Sequence, residues 1–374
     1  MINLEALFGQ ASSKDAVPIE FKVFPKSGDS RWMLESHFRQ PWHLKTWPRA
    51  NLRARTINRA IWFLASIGIQ MPSRRLNMGV AKNSIYMKLR EKNYKLGIFL
   101  GTPGPNRKFV VYAERFGEAF FVKVPVGPTS YALVQNETVT LDELTKDHDL
   151  AELVPAHRMF EGHLAVESVE TIGTRFASLG LEELIRVHIL MESRSGYFES
   201  LGSIRNNLRS PPNFLPVPHD TETSARIDAG RRAANEFWDS LPQDLTVPCY
   251  KAHGDFTRWN VLKARDGTAR IIDWELFGPK PLYFDLIHYF VSHDILVKRL
   301  SPSQILERLE AIGADTAPPE LWKLHVGHYF AFQAIYYASI YECQSELHVQ
   351  ALQQMNAWTE TLVELTSRLK DIAP

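Results

Sequence analysis

Cysteine is nearly absent: two residues in 374, Cys249 and Cys343, are too few for a disulfide framework and fit a reducing compartment. Neither stands at a metal-ligand spacing. Long apolar runs are missing as well. The longest, from about Ala60 to Ile69, is roughly half of the ~20 residues that a bilayer-spanning helix needs. The opening stretch MINLEALFGQ has no basic segment leading into an apolar one, so it does not read as a secretory leader, and the cytoplasm is the expected location. Net charge is almost nil, +1 at pH 7, which removes any global electrostatic case for a nucleic-acid partner. There is no internal repeat and no low-complexity tract. No Gly-Lys-Ser/Thr follows the glycines, so a Walker-type phosphate loop is excluded.

What is present is the composition of an ordinary globular protein, 45% hydrophobic and 23% charged. The length allows two domains, each with its own core. Charge is unevenly spread. Between Lys45 and Lys92 stand eleven Lys or Arg residues and a single acid, Glu91, so the rest of the chain is net acidic by about nine charges. This basic block sets residues 1–93 apart as an N-terminal extension. Within it, RANLRARTINRAIWFLASIGI has Leu52, Ile57, Ile61, Leu64 and Ile67 in a helix-like register, with Arg49, Arg53, Arg55 and Arg59 at its front. Two readings stay open. The apolar side could pack on the neighbouring domain and leave the arginines in water, or the arginines with Lys45 could form a positive surface for an anionic partner or a membrane face.

At Tyr94 the texture changes. YKLGIFLG, FVVYA and AFFVKVP read as three antiparallel strands, with turn-rich TPGPNRK after the first and RFGE after the second. A helix is expected from about Thr129 to Leu144, then two short strands in RMFEGHLAVESV around Glu161-Gly162. Residues 94–169 thus read as a five-stranded domain with one helix. From residue 170 the apolar spacing is helical, in LEELIRVHILMESR, in SARIDAGRRAANEFWDSL, and over the aromatic-rich last ~75 residues. The exception is NVLKARDGTARIIDW, a hairpin turned by Asp266-Gly267.

That hairpin follows HGDFTRWN. Asn260 stands at the start of its first strand and Asp273 closes its second, so the hairpin brings an amide oxygen and a carboxylate to one edge. Completed by phosphate oxygens, such a pair suits Mg2+, a hard cation that keeps few protein ligands. Asp255, just ahead of the strand, is placed to accept the proton of an incoming hydroxyl. His253, Asp255 and Asn260 keep the spacing H-x-D-x-x-x-x-N of a phosphoryl-transfer catalytic loop. An isolated H-x-D is more simply a strand entrance; Asp273, thirteen residues after Asn260, argues against that here.

Lys123 shares a strand face with Phe121 and Ala119, an odd place for a solvated lysine. Glu137 falls on the apolar stripe of the following helix, in register with Val134, Leu141 and Leu144. A carboxylate there needs a partner, because leaving it unpaired costs several kcal/mol. Lys123 is the natural one, and Glu143 is the second carboxylate at hand. The plain alternative is a snorkelling lysine and a helix-edge glutamate. Gly97, Gly101 and Gly104 would let the backbone approach phosphates, although any hairpin uses such glycines.

Together these stretches resemble the aminoglycoside phosphotransferase / choline kinase superfamily over about residues 94–374. HGDFTRWN is similar to its catalytic loop, IIDWE to its metal-binding segment, and PLYFDLIHYF to the stretch that follows. The resemblance implies an α+β, bilobal, protein-kinase-like fold, with a small antiparallel-sheet lobe carrying one helix (94–169) and a larger, mainly helical lobe (170–374). It implies ATP and Mg2+ as cofactors, and transfer of the γ-phosphate to a hydroxyl of a small molecule of sugar, amino alcohol or aminoglycoside type. By it Asp255 is the catalytic base, Asn260 and Asp273 are metal ligands, and Lys123 binds phosphate. Glu167–Val169 occupy the hinge beside adenine, and Asp285 braces the catalytic loop. Residues 1–93 lie outside the resemblance, and the phosphate loop with its two prolines matches no substrate class.

A protein kinase is disfavoured, since D-F-G and A-P-E signatures are absent. A catalytically silent kinase-like scaffold would be expected to lack Lys123, Asp255, Asn260 or Asp273, and all four are present. The acceptor stays open. The final helices show no dense acidic cluster of the kind that polycationic aminoglycosides favour. HYFAFQAIYYASIY supplies Tyr329, Phe330, Phe332, Tyr336, Tyr337 and Tyr341, either as a cage for a choline-like cation or as core packing.

Overall fold

The computed structural model describes residues 3–10, 16–26, 30–46, 52–102, 104, 106–169, 171–176, 179–209, 217–264, 267–344, 347 and 349–370. The expected turn residue Asp266 lies outside them. The chain divides into two compact units, the first made of Met1–Ala177 with Trp259–Glu275, the second of Ser178–Arg258 with Leu276–Pro374. The first is built on antiparallel sheet and the second on helices, an α+β chain.

The first unit carries strands β1 (Ala16–Phe24), β2 (Trp32–Glu35), β3 (Arg74–Ala81), β4 (Lys95–Phe99), β5 (Lys108–Arg115), β6 (Glu118–Pro125), β7 (His157–Phe160) and β8 (His163–Glu167). They form one sheet in the order β3-β1-β2-β4-β5-β6-β8-β7, antiparallel throughout. Period-2 alternation aims Phe109, Val111 and Ala113 of β5 and Phe120, Val122 and Val124 of β6 into one core. Leu7 and Phe8 of α1 (Glu5–Phe8) and Tyr86 and Leu89 of α3 (Ile85–Glu91) pack on the same face. Two hairpins turn on residue pairs with positive φ, Phe116-Gly117 and Glu161-Gly162, the geometry that matches the right-handed twist of the flanking strands. Three further strands, β9 (Thr171–Phe176), β12 (Val261–Ala264) and β13 (Ala269–Ile271), make a second sheet in the order β13-β12-β9.

These pairings move the expected boundaries. Residues 1–93 are no separate extension, because β1, β2 and β3 are strands of the main sheet, which has eight strands where residues 94–169 gave five. In β1 the apolar alternation of Ile19, Phe21 and Val23 is interleaved with charged Glu20 and Lys22, so the basic composition of the neighbouring block hid it. The boundary at 169/170 falls instead after β9, whose register is fixed by Leu262 and Ala264 of β12. Helix α2 (Leu52–Ser66) is also oriented differently from its expected register. Asn58 and Ala65 are buried, whereas Ile57, Leu64 and Ile67 just beyond the helix are exposed. Arg59 is exposed; Arg49 and the side chains of Leu52, Arg53 and Arg55 lie outside the described residues. Much of the remaining basic charge is paired at home. Lys88 and Lys92 bond Glu161, Arg75 bonds Glu20, Arg90 bonds Glu35, and Lys45 lies 5.7 Å from the Trp62 and Tyr112 ring centres. Less charge is left for an anionic partner or membrane face than composition implies.

Helix α4 (Pro128–Leu144) follows β6. Pro128 supplies a preset first-turn φ, and the Ser130 hydroxyl accepts the Gly127 N–H. Val134, Glu137, Leu141 and Leu144 form its buried stripe. The short α5 (His148–Ala151) is capped by Asp147.

The second unit contains α6 (Leu181–Ser195), α7 (Leu201–Arg209), α8 (Thr221–Asp239), α9 (Phe284–His293), α10 (Pro302–Gly313), α11 (Pro319–Tyr341) and α12 (Val349–Lys370). A small sheet joins β10 (Tyr197–Ser200), β11 (Thr246–Ala252) and β14 (Gly278–Pro281) in the order β10-β11-β14. Asp220 caps α8, and Ser301 with Gln304 caps α10 reciprocally. Helix α11 is apolar on nearly every side because α7, α8, α9, α10 and α12 all pack on it. Tyr329, Phe330, Phe332 and Tyr341 are therefore core, while Tyr336 and Tyr337 are half-buried. Both cysteines are free thiols. Among the described residues no helix is long and apolar enough to cross a membrane.

Candidate active site

The chemistry-bearing residues fall into two groups, one in each unit. In the first unit, β6 and α4 bring Lys123 and Glu137 together. Lys123 Nζ donates to Glu137 Oε1 at 2.6 Å and Oε2 at 2.5 Å. The same ammonium donates to Asp273 Oδ1 at 2.7 Å. Lys123 and Glu137 are both buried, Glu137 to 1% exposure, so each charge depends on the other for its solvation. Glu143, the other candidate partner, is not part of this pair.

Asp273 ends the β12–β13 hairpin. Val261 pairs with Ile271, and Ile272 N–H donates to Asn260 O at 2.9 Å, so the backbone holds Asn260 next to the residue preceding Asp273. Asp273 has φ 69°, a left-handed conformation that costs a non-glycine residue on the order of 1 kcal/mol and is concentrated at functional sites.

Two residues of this group escaped the sequence reading. Lys108, at the start of β5, donates to Asp273 Oδ1 at 3.2 Å and pairs with Glu275. Glu275 lies in a one-turn 3-10 helix directly after Asp273, and Asn136 Nδ2 donates to its backbone carbonyl at 3.0 Å. Burial opposes ionisation of Asp273, yet Lys108 and Lys123 together hold its carboxyl far below the usual range. Glu275 is pushed up to about 7, by burial first and by Asp273 beside it, against the pull of Lys108. Counted as fully ionised, three carboxylates face two ammonium groups, one formal negative charge in excess, and the raised Glu275 is the group that answers that excess. The carboxylate oxygens of Glu137, Asp273 and Glu275 lie within 4.8 Å of one another. An all-oxygen donor set with surplus negative charge fits a hard divalent cation such as Mg2+.

Gly101 and Gly104 precede β5 with φ 71° and 139°. A Cβ on Gly101 would run into the Lys108 carbonyl, so that position admits no other residue without rearrangement. Gly97 lies within β4, packed against the backbone of Trp42 and His43, and is structural. On β8, Glu167 is exposed and donates its N–H to Ala156 O at 2.8 Å; Val169 follows, half-buried.

In the second unit, Asp285 at the start of α9 accepts the N–H groups of His253 at 2.6 Å and Gly254 at 3.0 Å. Gly254 has φ 84°, and a Cβ there would lie 2.5 Å from Leu276 O, which explains the glycine inside HGD. Asp255 N–H donates to His253 Nδ1 at 3.2 Å. Its Oδ1 lies 3.1 Å from His288 Nε2. The opposite ring nitrogen, Nδ1, is 2.9 Å from both the Tyr329 hydroxyl, which can donate or accept, and the Gln333 side-chain nitrogen, which can only donate. Nδ1 must then accept, the ring proton resides on Nε2, and His288 donates it to Asp255. His288 also escaped the sequence reading. Phe256 and Thr257 fill the interior after Asp255, and Arg258 lies over the Tyr289 ring at 5.2 Å.

A lysine held between a helix glutamate and a carboxylate at a hairpin end, together with an H-x-D loop braced by a buried aspartate, provides the parts that phosphoryl transfer uses. The sequence profile of the phosphotransferase enzyme family matches residues 106–322, more than half of the chain. The protein belongs to that family. The match contains Lys108, Lys123, Glu137, Asp255, Asn260, Asp273 and Asp285, and leaves out Gly101 and Gly104. No curated protein matches the chain in sequence. Among solved structures it is similar to the choline kinase LicA from Streptococcus pneumoniae at 17% identity, over 68% of this chain and 89% of that one, with a TM-score of 0.47. It is similar to the aminoglycoside phosphotransferase APH(4)-Ia at 13% identity, over 75% and 98%, with a TM-score of 0.44. An ethanolamine kinase of Plasmodium vivax matches at 11% identity, over 89% and 95%, with a TM-score of 0.39. Likenesses of this degree carry nothing about the substrate.

Proposed function

We propose that the protein uses ATP to phosphorylate a hydroxyl of a small molecule, on a protein-kinase-like plan. The observation that carries this reading is the buried Lys123 ammonium shared between Glu137 and Asp273. Glu137 aims Lys123 at the α- and β-phosphates, and Lys108 adds a second positive charge. Gly101 and Gly104 let the backbone approach the phosphates, while Glu167–Val169 offer backbone to the adenine edge. Asn260 and Asp273, with Glu275 at hand, would hold Mg2+, which when bound neutralises phosphate charge.

Asp255 is the base. Its carboxylate takes the acceptor's hydroxyl proton while that oxygen forms a bond to the γ-phosphorus, and the bond from the γ-phosphorus to the β–γ bridging oxygen breaks to release ADP. His288, with Tyr329 and Gln333 behind it, orients Asp255 through Oδ1. Asp255→Asn is expected to lower transfer by about 10²–10⁴-fold and to leave nucleotide affinity within a few-fold. ADP formation and nucleotide titration check this against a panel of sugars, amino alcohols, aminoglycosides and hydroxy acids. Near-wild-type transfer by Asp255→Asn would remove the assignment of the base.

A further inference from the structure

Lys280, at the third position of β14, is partly buried and has no carboxylate within ion-pair reach among the described residues. Its ammonium lies 5.9 Å from the Phe284 ring centre and 5.2 Å from that of Phe332. Among the described residues its one hydrogen bond is long, 3.4 Å to Leu276 O. Asp285, the acid that acts on it electrostatically, has both oxygens taken by the His253 and Gly254 N–H groups.

Two chains of contact connect this cation to Asp255. The Leu276 carbonyl that meets Lys280 also abuts Gly254, the residue before Asp255. The Phe284 ring under Lys280 stacks on His288, which bonds Asp255. Helix α11 spans both ends with one face: Phe332 meets Lys280, Tyr329 and Gln333 meet His288, and half-buried Tyr336 stacks on Phe332. Positions 329, 332, 333 and 336 share a helical stripe. Of the rings that could have caged a cationic acceptor, Phe332 already faces the protein's own cation, and Tyr336 stacks on Phe332.

We propose that Lys280 selects the acceptor, and that the acceptor carries an anionic group, a carboxylate or a phosphate, beside the hydroxyl it presents to Asp255. The inference rests on the phosphotransferase reading of the same site and specifies its substrate class. A half-buried ammonium with only ring faces and one long hydrogen bond is under-solvated, and an anion at its side supplies what is missing. Burial accordingly pulls Lys280 down to about 8, with Asp285 opposing. Quaternary amines and polycationic aminoglycosides would meet like charge there.

The test uses the full-length protein with ATP and Mg2+, and reads ADP formation. Four acceptor sets are offered: hydroxy-carboxylates, sugar phosphates, neutral polyols, and amino alcohols with aminoglycosides. Turnover is expected with a member of the first or second set, and which of them responds identifies the anion. Lys280→Met should then lower kcat/KM for that acceptor by about 10- to 100-fold, mainly through KM. Lys280→Arg should restore part of the loss, and thermal unfolding confirms that both variants fold. A neutral or cationic acceptor as the best substrate, with Lys280→Met altering it less than threefold, would overturn the proposal. Slow ATP hydrolysis without acceptor, abolished by Asp255→Asn, tests the underlying reading separately. If that hydrolysis is present and no anionic compound accelerates or inhibits it, the role of Lys280 fails alone. If wild-type protein neither hydrolyses ATP nor transfers phosphate to any set, the phosphotransferase reading fails and the inference with it.

Discussion

Lys123 and Glu137 form a buried pair whose loss is expected to show in stability and in nucleotide binding alike. Removing the lysine alone strands a carboxylate that is 1% exposed, a defect that typically costs about 3–5 kcal/mol. Lys123→Met should therefore destabilise more than the double variant Lys123→Met/Glu137→Gln, and both should lose ATP binding. Denaturant unfolding of the four members of that cycle checks it; additivity would show that the pair is not coupled. His288 makes a different prediction. His288→Leu should lower kcat by at least roughly tenfold, part of the ~10²–10⁴-fold that a positioned base contributes, with KM for ATP unchanged. Steady-state kinetics with both substrates separates that outcome from a general loss of structure. The Lys123–Glu137 pair was legible in the sequence because a glutamate on the apolar stripe of a helix announces its need for a partner. Lys108 and His288 were not. Their bonds to Asp273 and Asp255 span 165 and 33 residues, and no local pattern encodes such a meeting.

At the scale of elements, the strands between Tyr94 and Glu167 were readable because turn pairs and alternation agree over short distances. β1, β2 and β3 were not, because charged residues interleave with their core positions beside a strongly basic block, nor was β9, because its partner β12 comes some ninety residues later. The correction has a measurable consequence. Deleting residues 1–93 removes Phe21, Val23, Met33 and Tyr86 from the sheet core and uncovers the edge of β4. An uncovered hydrophobic edge is an aggregation template. The truncated chain is expected to be insoluble or to lose cooperative unfolding, as judged by size-exclusion chromatography and circular dichroism. A soluble fragment with wild-type melting would show that the three strands are dispensable.

Over the whole chain, buried histidines set an acid limit. Burial holds His43 and His328 at about 3 and His188 and His325 at about 4, with Lys22 adding to the effect at His43 and His325 at His328 and His188. A lowered folded value means that the neutral ring is the stable form. The contribution is whole above the unfolded chain's value near 6.5 and is lost as pH falls from there toward 4, by about 1.4 kcal/mol per pH unit for each group. Tm measured from pH 7 down to 4.5 should fall steeply. His43→Phe should flatten the slope by about one group's share, since His43 stacks on Phe24 and neither of its nitrogens has a hydrogen-bond partner among the described residues. A Tm that is level across that window would refute the account. The class of fold and the H-x-D loop were visible in the sequence because both are written in contiguous stretches. The division of the chain was not, because the unit boundary falls inside HGDFTRWN, between Arg258 and Trp259. Asp255 folds with the second unit, whereas Asn260 and Asp273 fold with the first although their codons lie in the latter part of the gene. A single genetic crossover near residue 177 would therefore carry the β12–β13 hairpin along with the whole second unit. Such an exchange between relatives cannot replace the second unit without also importing that hairpin, and the β9 strand it must match stays behind.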